Sequence, residues 1–563
     1  MYILGLNSAY HDSSVCLLKD NNIIAAVEEE RFTRIKHAKV ATVDNPHQLP
    51  WITIQYVLAK EGILLRDVEA IGYSIQPRKR LKNASSQEQA ILDSWGTPEG
   101  EERFYQHLLT IPEQLQQKGF KGKFSWLDHH LCHLASTFYP SGFSKAALLS
   151  VDGIGETASC AFAFGNEHRM QLLGTIEYPN SLGFLWESIS QFLGFTAYDA
   201  CKIMSLASYG NTETYRSHFQ TLVQLTDKGG FIMDNSILRF RADDYCKLEE
   251  LFAIGKRSNS DVLKAAHFDI AASLQETTNQ IMLHMVKYLY EQTQCENLSM
   301  AGGVLLNCVT NRLLCEETAF KNIFIQPAAH DAGTALGAAM LLWHTDATRP
   351  RSEPMRHAYW GPEFSDEDIE RILKKYSLYY RCVSNIEKRV AELLAERNIV
   401  GWFQGAMEFG PRALGNRSLL ADPRDAGMKE KLNQIVKHRE SFRPFAPSVL
   451  CEEAPRWFEI NNITSASDFM LVAYPIKLAL RDQLPAIIHI DGTARIQTVS
   501  ANTNPRYHQL ISEFFQLTGV PVLLNTSFND SEPIVCSPED AINTFLKTKI
   551  DYLAIGNFLV SRL

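Results

Sequence analysis

No stretch of about 20 apolar residues runs through this chain, so nothing in it reads as a bilayer-spanning helix. Its 11 cysteines include no C-x-x-C pair, which argues against a disulfide framework and against a cysteine zinc site. Scattered thiols in a long chain suit a reducing compartment. Basic residues are not in excess. The 55 Lys+Arg against 64 Asp+Glu leave a net charge of -9, a poor basis for non-specific nucleic-acid binding, although a local basic pocket for phosphates stays open. Met1–Gly5 lacks the basic start of a signal peptide, and no low-complexity segment occurs. The expectation is a cytoplasmic protein with no membrane and no nucleic-acid partner. A homo-oligomer is compatible with these features.

What is present is length: 563 residues, 45% of them hydrophobic, more than one core serves, so two to four domains are expected. Met1–Leu6, Val15–Lys19 and Ile23–Val27 are apolar runs separated by polar turns, and the layout returns at Ala146–Val151, Ser159–Phe164 and Met170–Ile176. Two such units predict a duplicated α/β domain with a cleft between its halves. Helical spacing marks Leu49–Glu61, Asp261–Gln294, Leu305–Glu317 and Gly333–Trp343, with short strands at Leu298–Met300 and Ile323–Ile325. Thr345–Pro354 is polar and carries proline, which places a boundary there: residues 1–350 form one domain and 351–563 another. In the second, helices are expected at Asp366–Lys375, Ile386–Glu396 and Pro538–Thr548 and strands at Ile399–Phe403 and Val520–Leu524, with Arg- and Gly-rich loops between.

Asp128-His129-His130-Leu131-Cys132-His133 follows a short strand. With Asp128 as N-cap, His129 and His133 lie four apart on one helical face and can share a metal, while His130 points elsewhere. Asp152 ends an apolar strand and Asp331 precedes a helix, positions at which α/β domains collect ligands. Spacing alone does not join these four residues. Gly302-Gly303 follows a strand and precedes a helix, a geometry suited to an anion. In the second domain Arg412, Arg417, Lys437, Arg443 and Arg495 lie among Gly, Pro and aromatic residues rather than along an exposed helix. That pattern suits a concave phosphate site, the bland reading being ion pairs with Asp422, Asp425 and Asp491.

The ordered motifs extend across the chain. They are Gly5-Leu6-Asn7 with His11-Asp12, Glu28–Phe32 with Lys36-His37, Asp128–His133, Ala301–Val304 with Asn307, and His330–Gly333. Further on come Gly410–Ser418, Lys437–Arg439, Arg443–Pro447, Asp491–Arg495 and Asn525–Phe528. Together they resemble the NodU/CmcH-type O-carbamoyltransferases. The resemblance implies a duplicated actin-like, sugar-kinase-like ATPase-superfamily domain, like that of tRNA threonylcarbamoyl transferases, followed by a YrdC-like α/β domain. It implies that the second domain makes carbamoyl-adenylate from carbamoyl phosphate and ATP with Mg2+. The first would then transfer the carbamoyl group to a hydroxyl of a small-molecule natural product such as an antibiotic.

By the same resemblance His129, His133, Asp152 and Asp331 match metal ligands. The metal would be Fe2+ or another divalent transition metal, iron being chosen on the family alone. Gly302, Gly303 and Asn307 match nucleotide-binding positions. Arg412, Lys437, Arg443, Met470, Arg495, Asn525 and Ser527 match positions lining the carbamoyl phosphate and ATP site. His11 matches a residue near the transfer centre, where it either acts as general base or only hydrogen-bonds its turn. Ser205 stands where related sequences often carry Gly or Ala, in what reads as a loop near the nucleotide. The acceptor cleft is expected to be lined by loops Asn180–Glu187 and Phe195–Lys202. A small-molecule kinase, a fused tRNA threonylcarbamoyl-adenosine enzyme and a non-catalytic metal and nucleotide sensor are the rival readings.

Overall fold

A computed structural model of the chain describes residues 1–82, 94–460 and 464–562. The chain divides into two units, one holding Met1–Glu29 with His37–Met355 and the other Glu30–Lys36 with Arg356–Leu563.

The first unit carries two five-stranded sheets. In the first, β1 (Tyr2–Asn7), β2 (Ser14–Lys19) and β3 (Asn22–Glu28) form an antiparallel meander, and β4 (Ala70–Tyr73) and β5 (Lys123–Trp126) add in parallel beside β1, giving the order β3-β2-β1-β4-β5. In the second, β6 (Lys145–Val151), β7 (Ala158–Asn166) and β8 (Arg169–Glu177) repeat the meander. A separate ribbon of β9 (Val223–Thr226) and β10 (Gly230–Met233) follows, before β11 (Asn297–Ala301) and β12 (Asn322–Ile325) add in parallel beside β6. Matching strand order and direction make the two halves duplicates.

The halves interlock through their last helices. His129–Phe138, which follows β5, packs on β6, β7 and β11, whereas Ala332–His344, which follows β12, packs on β1, β2 and β4. Each half thus closes over the other's sheet. The sequence permits this because Ala332–His344 is mostly small residues as far as Ala339, apolar on nearly all sides and buried along most of its length. Gly337 allows the close approach of the two helices: a Cβ there would lie 1.7 Å from the Cys132 carbonyl oxygen. The long helix expected over Asp261–Gln294 runs Ala265–Thr293, because Ser258–Asp261 folds into a turn closed by the Asp261 N–H on the Ser258 carbonyl.

The second unit is built on an eight-stranded mixed sheet. Its strands are β13 (Tyr380–Cys382), β14 (Val400–Phe403), β15 (Arg417–Ala421), β16 (Ala446–Leu450), β19 (Gln497–Val499), β20 (Val522–Ser527), β21 (Tyr552–Ile555) and β22 (Phe558–Ser561). The order is β13-β22-β21-β14-β15-β20-β16-β19, with β17 (Ala473–Pro475) and β18 (Thr493–Arg495) forming a separate pair. The stretch read as Arg- and Gly-rich loops therefore contains strands. They are three to five residues long and flanked by Gly and Pro, too short to show a period. Residues 30–36 belong to this unit: Arg31 donates to the Gly410 carbonyl at 2.8 Å, Arg34 donates to the Ile534 carbonyl at 2.6 Å, and Phe32 packs on Met407, Ile534 and Cys536. Among the described residues no helix is long and apolar enough to cross a membrane.

Candidate metal centre and anion site

Asp128 caps the helix His129–Phe138, accepting the Leu131 N–H at 3.1 Å, and this turn directs His129 and His133 to one side with ring centroids 4.7 Å apart. Asp331 stands at the same place in the other half, before the helix Ala332–His344. Asp152 follows β6, in a turn where its Oδ1 accepts the N–H groups of Gly153 at 2.9 Å and Gly303 at 3.3 Å. Its Oδ2 then lies 2.7 Å from His133 Nε2 and 3.7 Å from His129 Nε2, and Asp331 Oδ1 lies 3.6 and 3.7 Å from the His129 and His133 Nε2 atoms. One ligand atom from each residue falls within 4.8 Å of all the others.

These residues fit a divalent cation. Both Nε2 atoms and Asp152 Oδ2 are buried and lack a partner in hydrogen-bond geometry, the 2.7 Å approach included. Buried polar atoms are seldom left so, because each unsatisfied group costs about 1–3 kcal/mol. Four N and O ligands at about 2.1 Å from one ion stand about 3–3.4 Å apart, near the spacing observed. Two imidazoles with two carboxylates suit Fe2+, Mn2+ or Zn2+.

The electrostatics agree. Burial works against charge on His129, but the Asp331 and Asp152 carboxylates outweigh it and hold the ring up to about 9. Burial would raise Asp152, yet His129 and His133 keep it well below the usual carboxylate range. His130 is set apart: burial, reinforced by its two neighbours, pushes it down to about 4, and its ring nitrogens meet Ser150 Oγ and the Ala158 carbonyl at 2.8 Å.

Glu156, which the sequence did not single out, supports the cluster. Its Oε1 accepts the His129 N–H at 3.0 Å and the Gln76 N–H at 2.7 Å, and burial with the Asp128 charge pushes it up to about 7. Behind it the buried Arg80, paired with Glu101 at 2.7 Å, donates to the Glu156 carbonyl at 3.2 Å, and Tyr10 Oη donates to the Gly155 carbonyl at 2.6 Å. A carboxylate four residues past Asp152 in a Gly-bearing turn is the only sequence signal for it.

His11 sits in the β1–β2 turn. Its Nδ1 lies 2.7 Å from Asp12 Oδ2, and His37 Nδ1 lies 2.8 Å from Asp12 Oδ1, so one carboxylate bridges two imidazoles. Tyr198 stacks on His37 and stands edge-on to His11. Burial opposes charge on His11, but Asp12 and Asp331 raise it well above the ordinary histidine value, while Asp12 is held well below its own despite burial. Glu187 is a second residue the sequence passed over. It has no hydrogen-bond or ion-pair partner among the described residues, and burial pushes it up to about 7, with His11, Asp152 and Asp331 among the charges acting on it. The stretch Asn180–Glu187, expected as a loop, is instead the start of a helix, Leu182–Phe192, because Ser181 caps it through the Phe184 N–H. Phe195–Lys202 likewise winds into the short helices Ala197–Asp199 and Ala200–Ala207, and Ser205, expected in a loop, sits in the latter with Oγ donating to the Cys201 carbonyl at 3.0 Å.

Of the other expected residues, Gly302 has φ +99°, and a Cβ there would lie 2.1 Å from the Val151 carbonyl oxygen, so only glycine lets β11 turn beside β6. The Gly303 N–H meets Asp152. Asn307 caps the helix Cys308–Glu317 and donates to Gln275 Oε1 at 3.0 Å.

In the second unit Lys437 and the loop beside Arg412 meet β20. Ser527 and Asn525 lie on β20, and Lys437 Nζ donates to the Ser527 carbonyl at 2.5 Å and to Asn529 Oδ1 at 2.6 Å. Burial, with Arg439 and Arg443 nearby, pushes the Lys437 ammonium well below its usual value. Asn525 Nδ2 donates to Gln497 Oε1, to Ser448 Oγ and, at 3.2 Å, to the carbonyl of Ala413 beside Arg412. Its Oδ1 is buried without a partner. Arg495, on β18, is half-buried, its Nε is fully buried, and its guanidinium makes no hydrogen bond or ion pair among the described residues. Met470, at φ +57°, closes the short helix Ser465–Phe469. Arg417 departs from the phosphate reading: it is wholly buried over Phe403 and donates to the carbonyls of Pro362, Gln404, Gly405 and Asn416. Of the acidic residues read as alternative partners of the basic set, Asp422 pairs with Arg424 at 2.6 Å.

Comparison with known proteins matches residues 2–340 to the carbamoyltransferase N-terminus and residues 391–562 to the carbamoyltransferase C-terminus. Nodulation protein NolNO of Sinorhizobium fredii is 38% identical over 567 residues, covering 99% of this chain and 80% of its own. Nodulation protein NolO of Bradyrhizobium diazoefficiens is 40% identical over 441 residues, covering 77% and 79%. Among solved structures, component A of the (R)-2-hydroxyglutaryl-CoA dehydratase of Acidaminococcus fermentans overlaps 62% of this chain and 100% of its own at 14% identity and a TM-score of 0.34. With both halves of the family pattern present in order, the chain belongs to the carbamoyltransferase family.

Proposed function

We propose that the chain is an ATP-dependent O-carbamoyltransferase acting on a hydroxyl of a small-molecule natural product. In the unit Arg356–Leu563, water cleaves carbamoyl phosphate to carbamate and phosphate, and the carbamate displaces pyrophosphate from ATP, bound with Mg2+, to give carbamoyl-adenylate. The observation that carries this half is Arg495, a half-buried guanidinium without any protein counter-ion among the described residues. An arginine left so keeps its charge for a bidentate oxyanion. Arg412 and Arg443 would add charge against the transferring phosphoryl group.

The carbamoyl group passes to the acceptor in the other unit. His129, His133, Asp152 and Asp331 would hold Fe2+ or another divalent transition metal, which supplies Lewis acidity when bound. His11, oriented by Asp12 through Nδ1, is assigned the acceptor's hydroxyl proton, a role worth about 100- to 10,000-fold. It acts as base only from its neutral form, so transfer rises with pH as the ring titrates.

The test is product formation. Purified protein given ATP, carbamoyl phosphate and a panel of alcohols should release pyrophosphate only with both donors present, and one alcohol should gain the mass of a single carbamoyl group. Arg495→Ala should lose the pyrophosphate release while keeping metal. Phosphate transfer from ATP to an alcohol without carbamoyl phosphate would make the chain a kinase instead.

A further inference from the structure

The loop that carries Arg412 is folded around a buried carboxylate. Glu408 is 2% exposed. Its Oε1 accepts three backbone N–H groups, from Leu414 at 2.7 Å, Asn416 at 2.9 Å and Arg417 at 3.2 Å. Gly415, at φ +99°, turns the chain so that N–H groups on both sides of it converge, and its own N–H goes to Ser418 Oγ at 3.1 Å. Converging backbone N–H groups of this kind form a concavity that takes an anion, commonly a phosphate. Here the chain supplies the anion itself. The carbonyl side of the loop is fixed as well: Leu414 accepts from Tyr359 Oη and Gln497 Nε2, each at 2.8 Å, and Ala413 accepts from Asn525.

We infer that Glu408 is a positioning residue for the anionic donor: its carboxylate fills the nest at residues 414–417, fixing the backbone next to Arg412 and leaving phosphate recognition to the arginine side chains. The inference rests on the proposed role of Arg412 in meeting carbamoyl phosphate. Three charge-assisted hydrogen bonds converge on Glu408 Oε1, so the carboxylate is held in the nest by the backbone it orders.

Three single variants and one double variant of the full chain test this: Glu408→Ala, Glu408→Gln, Arg412→Ala and Glu408→Ala with Arg412→Ala. Each is assayed for pyrophosphate release against carbamoyl phosphate concentration, with metal content and thermal unfolding alongside. Arg412→Ala should raise the KM for carbamoyl phosphate, and if it does not, the reading of Arg412 fails and with it the premise. Given that effect, Glu408→Ala should raise the same KM about tenfold, the loss expected when charge-assisted bonds that set a binding group are removed. Glu408→Gln, which keeps an acceptor oxygen, should recover part of it. The double variant should be no worse than Arg412→Ala alone, because the two act through one contact. Additive losses, or an unchanged KM in Glu408→Gln and in folded Glu408→Ala, would overturn the assignment. If Glu408→Ala does not fold, the KM of Glu408→Gln decides.

Discussion

Loading a divalent cation into the His129, His133, Asp152 and Asp331 cluster should expel a proton, and the structure fixes the size of the effect. Without a cation, the Asp331 and Asp152 carboxylates overcome burial and hold His129 up to about 9. At pH 7 that ring is about 99% protonated, and freeing its Nε2 for a metal costs about 2.7 kcal/mol. Apparent affinity should therefore be about 100-fold weaker at pH 7 than above pH 9, climbing about tenfold per pH unit between. Stability runs the other way in the metal-free protein. A raised His129 stabilises the fold fully below its unfolded value of about 6.5 and loses that contribution as pH rises through about 9, while the depressed Asp152 stabilises above about 3.9 and loses its part as pH falls. The assay is calorimetric titration with Mn2+ in two buffers of different ionisation enthalpy, from pH 6.5 to 8.5. Affinity that is flat with pH, with no proton released, would refute the reasoning.

Two further perturbations follow from the geometry. Gly337→Ala forces apart the helices that bring His133 and Asp331 together, since the methyl would meet the Cys132 carbonyl at 1.7 Å; urea unfolding should show a loss of about 1–3 kcal/mol or more and metal titration a weaker site, and an unchanged midpoint with unchanged affinity would contradict it. Asp12→Asn removes the nearest charge holding His11 up, so burial should then dominate and the His11 ring, followed by NMR titration, should move downward, with the rise of carbamoyl transfer shifting to lower pH alongside it; a ring that does not move would contradict this.

The duplicated fold was legible because each half begins with apolar runs broken by polar turns, and the observed strands β1 to β3 and β6 to β8 fall on those runs. Long amphipathic helices read well too: Asp366–Lys375 is found with the expected bounds. The His129–His133 spacing disclosed a shared face directly. Asp152 and Asp331 could not be joined to it by spacing, because their proximity arises from two sheets and two crossing helices rather than from any local period. Arg417 shows the opposite failure. Its company of Gly and Asn looks like that of an anion ligand, but its N–H groups are taken up by four backbone carbonyls, and carbonyl direction leaves no mark on sequence. Glu408 was hidden for the same reason, since its partners are main-chain N–H groups.

The exchange of terminal helices between the two halves bears on how the unit comes into being. While a ribosome is still making β6, the helix His129–Phe138 has no surface to lie against, and the first sheet waits for Ala332–His344, made near the end of the unit. Neither half can then mature as an independent foldon. Non-local pairings of this kind fold slowly, as a late and cooperative event. The four-residue cluster comes together only at that event, so a cation captured there would register that the whole first unit has been completed.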